Sequence, residues 1–136
     1  MPTMSTTALK YIWASPASAL GIFAASLASV VGAKFKRVSG VLEVSLAPRS
    51  AALCKAVACL PIAAITLGHV VIACSAHEQS AHRAHERVHV AQYELWGPLF
   101  LVAYPLESLY QWLCGRQAYL DNRFEKAAKT ACRSTL

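Results

Sequence analysis

A chain of 136 residues, 56% hydrophobic and 15% charged with a net charge of +6, holds enough apolar material for one packed domain and is too apolar to be disordered. Its five cysteines, Cys54, Cys59, Cys74, Cys114 and Cys132, are odd in number and form no C-x-x-C pair, which argues against a disulfide framework and a thiolate zinc site and for reduced, core-filling thiols. The positive charge is scattered apart from KFKR at 34–37 and a C-terminal group of Arg123, Lys126, Lys129 and Arg133. No nucleic-acid motif accompanies it, so membrane lipid is the expected partner and nucleic acid is not.

Residues 11–33 (YIWASPASALGIFAASLASVVGA) carry no charge, lie between Lys10 and KFKR, and are long enough to cross a bilayer, which predicts a transmembrane helix. Ser15, Pro16, Ser18, Gly21, Ser26 and Ser29 dilute its apolar character. The alternatives are a signal peptide cleaved after Val31-Gly32-Ala33 and a helix buried in the core. As a span followed by KFKR, the segment places the rest of the chain in the cytoplasm. The chain thus divides into a membrane-anchor segment, 1–37, and a folded domain, 38–136.

GVLEVS at 40–45 alternates apolar and polar residues between Gly40 and Pro48 and predicts a short strand. Residues 50–60 predict a small helix ending at Pro61. IAAITLGHVVIAC at 62–74 is uncharged and rich in β-branched residues; Pro61, Gly68 and His69 favour a buried or edge strand over a second membrane span. Ser75 and Glu78 have capping-box spacing, and Gly97-Pro98 supplies a stop, which predicts one helix over 76–95. Ala81, Ala84, Val88, Ala91 and Leu95 form its apolar stripe, and Glu78, His82, His85, His89 and Gln92 a polar one beside it. A further helix is expected over 105–114, with Pro105 at its first position and Gly115 after its end. RQAYLDN reads as a loop, and Asp121 or Asn122 caps a last helix with Phe124, Ala127, Ala128 and Ala131 on one face. The fold class is α+β: mainly helical, with a small antiparallel sheet, behind an N-terminal hydrophobic helix.

His85-Glu86-Arg87-Val88-His89 is H-E-x-x-H. Spacing of i and i+4 puts two imidazoles on one helix face, about 6 Å apart, able to grip one Zn²⁺. Glu86, one residue round the helix, reaches a water beside the ion without ligating it, which is what a general base requires. The bland alternative is a solvated helix whose histidines are only polar surface. A hydrolytic zinc site needs a third protein ligand. Glu94 faces the wrong way, while His82, Glu107 and Glu125 remain open; Glu125 also has capping-box spacing from Asn122 and could do no more than close a helix start. TLGHVVI is a candidate edge for an extended peptide beside the metal helix.

HERVHVAQYELWG followed by YLDNRFEKAA resembles the core of the zincin metallopeptidases of the glutamate-ligand (gluzincin) type, and the same residues resemble small bacterial membrane-associated metallopeptidase domains. The likeness covers about residues 63–131 and is most specific in the metal helix; Arg123 stands where the related pattern has proline. It implies a minimal zincin-like domain with His85, His89 and Glu125 as Zn²⁺ ligands, Glu86 as general base, and a peptide or protein as substrate. The tetrahedral oxyanion of such a reaction needs a donor, for which Tyr119 and Tyr104 are candidates. Gln92, Asp121 and Asn122 are candidate outer partners of the imidazoles. Because the chain is short and shows no evident substrate-binding subdomain, the alternative is a zincin-like membrane protein that binds metal without catalysis.

Overall fold

A computed structural model describes residues 4–46 and 64–134. In chain order these form α1 (Met4–Val30), β1 (Lys34–Val38), β2 (Val41–Ser45), β3 (Ala64–Leu67), β4 (Val70–Ala73), α2 (Ala76–Ala81), α3 (Arg83–Trp96), a 3-10 turn (Gly97–Leu99), α4 (Phe100–Leu113) and α5 (Arg123–Ser134). The architecture is α+β, as expected. The helix expected over 50–60 lies outside the described residues.

The sheet has the order β1-β2-β4-β3. It is mixed rather than antiparallel: two antiparallel hairpins, β1–β2 and β3–β4, are joined by parallel pairing of β2 with β4. KFKR, expected as the basic cluster that follows the membrane anchor, forms most of β1. Ser39 (φ 49°) and Gly40 (φ 79°) explain this, because two successive left-handed residues make the tight turn whose twist suits a hairpin. The expected boundary between 37 and 38 therefore falls inside β1. Of residues 62–74, expected as one strand, the described ones from Ala64 on fold back on themselves: Gly68 (φ 62°) and His69 turn the chain, and Leu67 pairs with Val70. A segment apolar on both faces gives no alternation by which that reversal shows.

Strand alternation sorts the sheet into two faces. Val44 and Val70 pack on Ala25 and Ala28 of α1, while Val41 and Val71 pack on Val90 of α3. The helix α1 is seated by small side chains: Ala14, Ala17, Ala25 and Ala28 are buried, and a Cβ on Gly21 would come within 2.6 Å of Val70 Cβ. Its opposite face carries exposed Leu9, Ile12, Phe23, Leu27 and Val30. Thr6–Val30 is, among the described residues, the one candidate membrane span by length and composition. One face of that candidate span is nonetheless part of the core, as in the buried-helix alternative.

On the other face of the sheet, Glu43 is only 3% exposed and takes Arg83 Nε at 2.8 Å, Arg83 Nη2 at 2.9 Å and Arg87 Nη2 at 3.1 Å. The Arg83 hydrogen bonds hold its carboxyl below the usual carboxylate range despite burial. Arg87 Nη2 also donates to Val38 O at 2.8 Å, so α3 is pinned to both strands of the first hairpin.

The expected single helix over 76–95 is two. Ser75 Oγ accepts from Glu78 N as the cap, but the Glu78 carboxylate turns to His82 Nε2 at 3.0 Å instead of closing the box. His82 leaves helical geometry (φ −101°, ψ 3°), so α2 ends and α3 begins one residue on. The helix expected to start at Pro105 starts at Phe100, because Pro98 takes the N-terminal position that suits proline and Pro105 lies inside the helix. Gly97, at φ 59°, makes the corner between α3 and α4, and the Trp13 ring lies where its Cβ would be. Trp13 Nε1 donates to Leu95 O, fastening α1 to this corner. Gly115 (φ 75°) ends α4, as expected. In α5 the buried face is rotated from the expected one: Ala128 and Glu125 are buried, and Ala127 is exposed.

Candidate metal centre

The helix α3 presents His85 and His89 on one face, and α5 crosses it to bring Glu125 against both. His85 Nε2 lies 2.9 Å from Glu125 Oε2, and His89 Nε2 lies 3.0 Å from Glu125 Oε1. The two Nε2 atoms are 3.2 Å apart. These three residues form the one group of possible metal donors among the described residues.

The capping alternative for Glu125 is resolved by Asn122. Its Oδ1 accepts from Phe124 N at 2.9 Å, and its Nδ2 donates to Tyr104 O and Ser108 Oγ. Asn122 thus starts α5 and ties it to α4, while the Glu125 side chain, 2% exposed, is spent on the imidazoles. Burial by itself would raise the Glu125 carboxyl; hydrogen bonds from His85, His89 and Tyr104 outweigh it and hold the group well below its usual range. Tyr104 donates to Glu125 Oε1 at 2.6 Å. Burial pushes the Tyr104 hydroxyl up, with Glu125 adding to the effect, and does the same to Tyr119, so both stay protonated donors.

Gln92 orients one imidazole. Its Nε2 donates to Phe124 O at 3.2 Å, which leaves its Oε1 to accept from His89 Nδ1 at 2.8 Å. A neutral His89 with its proton on Nδ1 turns the Nε2 lone pair toward Glu125 and His85, whereas a protonated His89 donates from Nε2 to Glu125. Burial lowers the His89 pKa, but the Glu125 contact reverses the sign and the net shift is upward. With both imidazoles neutral and protonated on Nδ1, their Nε2 lone pairs face the two oxygens of the Glu125 carboxylate, an arrangement reconciled by shared protons or by a cation.

Glu86 is buried and faces the same cavity, of about 250 Å³, that His89, Tyr104, Tyr119 and Glu125 line. Its Oε2 accepts from Thr66 Oγ1 at 2.6 Å. Thr66 is the residue the sequence did not reveal. It sits on β3, the edge strand, whose alternation turns Ala64 and Thr66 toward α3, but nothing in AITL marks one threonine as a partner of a glutamate 20 residues on.

The remaining candidates fall elsewhere. His82 pairs with Glu78; Glu107 pairs with Arg123 and Gln111; Glu94 holds His69 and Lys10. Asp121 accepts from Gln117 N and pairs with Lys126, so of the three expected outer partners only Gln92 reaches an imidazole. Of TLGHVVI, Thr66 and Leu67 belong to edge strand β3, whereas Val70, Val71 and Ile72 belong to β4, which is paired on both sides.

No family model matches the chain, and no curated protein or solved structure matches it either.

Proposed function

We propose that this protein is a membrane-associated, zinc-dependent peptide hydrolase whose catalytic domain lies on the cytoplasmic side. The observation that carries the reading is the convergence of His85, His89 and Glu125 beside a buried Glu86. The donor set suits Zn²⁺: two imidazoles and a carboxylate, with Gln92 behind one imidazole and Tyr104 behind the carboxylate. A tetrahedral ion about 2.0–2.1 Å from each ligand needs ligand atoms about 3.3 Å apart. The two imidazole nitrogens, 3.2 Å apart, match that edge length, and Glu125 sets a different carboxylate oxygen against each, Oε2 2.9 Å from His85 and Oε1 3.0 Å from His89, so a tetrahedral set would draw one of these oxygens to the ion. When bound, zinc supplies a Lewis acid that polarises a carbonyl and acidifies water.

The chain's own groups divide the rest of the work. Glu86, its Oε2 anchored by Thr66, accepts a proton from the attacking water and returns it to the departing amine. Tyr119 stays protonated and donates to the oxyanion that develops as the carbonyl becomes tetrahedral. The outer edge of β3, which no other strand among the described residues pairs with, borders the cavity and offers main-chain groups to an extended peptide. The outward apolar face of α1 and the exposed Lys34, Lys36 and Arg37 of β1 support membrane attachment and the cytoplasmic placement.

Zinc content and hydrolysis of a peptide library by the purified full chain test the reading together. We expect one zinc per chain and chelator-sensitive cleavage; stoichiometric zinc with no cleavage of any peptide would leave the metal-binding scaffold instead. Thr66→Val, which keeps the side-chain shape and removes the donor, is expected to lower kcat about 10–100-fold, the kinetic equivalent of a hydrogen bond to a charged group. Zinc content should be unchanged and Thr66→Ser should restore the rate. Equal loss in both variants would show that Thr66 only packs.

A further inference from the structure

The helix α4 carries an apolar stripe that the other described residues leave uncovered. Leu99 in the preceding turn, then Val102, Leu106, Leu109 and Leu113, recur at three- and four-residue spacing. They are 59%, 58%, 57%, 48% and 69% exposed. The opposite side of the same helix supplies Phe100, Tyr104 and Gln111 to the interior. At 14 residues, α4 is too short to cross a bilayer, which takes about 20. It is suited to lie along a bilayer surface with its stripe in the acyl boundary.

Two further observations identify lipid as the occupant. The stripe begins two residues beyond the corner where Trp13 of the candidate membrane span packs on Gly97, so the candidate span and the stripe of α4 are neighbours in the fold. The charge also fits an anionic surface. Of seven acidic residues, Glu43, Glu86 and Glu125 are buried, and Glu94, Glu107 and Asp121 lie against Lys10, Arg123 and Lys126. Little free negative charge is thus left at the surface to offset the exposed Lys34, Lys36 and Arg37, and exposed Arg116 follows α4. Trp112, 64% exposed at the margin of the stripe, is a residue type that settles at the lipid–water boundary.

We infer that the Leu99–Val102–Leu106–Leu109–Leu113 stripe of α4 is a membrane-docking surface that seats the helix in the plane of an anionic bilayer. Leu101 and Pro105, on the adjacent flank of α4, line the cavity at the metal centre, and the exposed Ile65 lines it from β3. The cavity rim is therefore apolar and continuous with the docking surface. Resting on the proposed hydrolase activity, this makes the substrate class an apolar peptide segment held at the membrane rather than a freely soluble peptide.

A photoactivatable diazirine amino acid placed at Leu106 or Leu113, with His77 on α2 as control, tests the docking without reading activity. The full chain is reconstituted in phosphatidylcholine–phosphatidylglycerol vesicles and irradiated. Lipid adducts at Leu106 and Leu113 but not at His77 are expected. Crosslinks to a second copy of the chain, or water-quenched product alone at the α4 positions, would overturn the inference, whatever the zinc content. On the same vesicles, Leu106→Lys with Leu109→Lys should lower cleavage of a membrane-anchored apolar peptide at least 10-fold and spare that of its soluble form. Equal cleavage of both forms by the unsubstituted chain would overturn the substrate class, while absence of any cleavage with lipid adducts intact would overturn the hydrolase reading alone.

Discussion

Glu125→Ala is expected to abolish zinc binding, with metal affinity falling by far more than the roughly 10–100-fold that loss of a mere outer partner produces. Among the described residues the carboxylate is the group that reaches both imidazoles, at 2.9 and 3.0 Å. Without it His85 and His89 remain as a two-nitrogen site open to solvent on the α5 side, short of the three protein ligands that a hydrolytic zinc site needs. The helix start should survive, because Asn122 Oδ1, not Glu125, caps α5. The fold should lose some stability, since Tyr104 then has a buried hydroxyl without its acceptor, a cost of about 1–3 kcal/mol. Equilibrium dialysis against zinc, alongside circular dichroism and thermal unfolding, separates the two effects. A folded Glu125→Ala protein that binds zinc as tightly as the unsubstituted chain would remove Glu125 from the metal centre and return it to the role of a helix-terminal residue.

That result bears on how the site was legible at all. The pair His85 and His89 and the base Glu86 follow from spacing on one helix, because i and i+4 periodicity is local and survives any tertiary arrangement. Glu125 is 36 residues beyond His89, and its sequence context, Asn122-x-x-Glu125, fits capping just as well. Only the crossing of α3 by α5 decides between them, and a crossing is a property of packing. Thr66 was invisible for a related reason: the hairpin that presents it is apolar on both faces, so the reversal at Gly68-His69 left no periodic signature. At KFKR the missing information was secondary structure. Charge next to an apolar run reads as a membrane flank, yet Ser39-Gly40 makes a tight turn that draws those cations into β1. The helix break at His82 was likewise hidden, because the expected capping box was half right: Ser75 caps, while Glu78 pairs with His82.

Glu86→Gln separates a catalyst from a metal-binding scaffold. Glu86 is absent from the group formed by His85, His89 and Glu125, so the amide should leave zinc stoichiometry intact. The carboxylate nevertheless lines the same cavity and takes a 2.6 Å hydrogen bond from Thr66. Glutamine keeps an oxygen for that bond and nearly the same shape, so packing on β3 should be unchanged. What it lacks is a basic carboxylate oxygen. If Glu86 moves the proton in peptide hydrolysis, kcat should fall by about 10²–10⁴-fold, with KM little altered, because proton transfer belongs to the transition state and not to substrate binding. Single-turnover cleavage of a membrane-anchored peptide by zinc-loaded Glu86→Gln, compared with the unsubstituted protein at equal metal content, reads this directly. A rate unchanged in the variant would mean that the carboxylate carries no proton in the reaction, and a variant that loses zinc would mean that Glu86 supports the metal rather than the water.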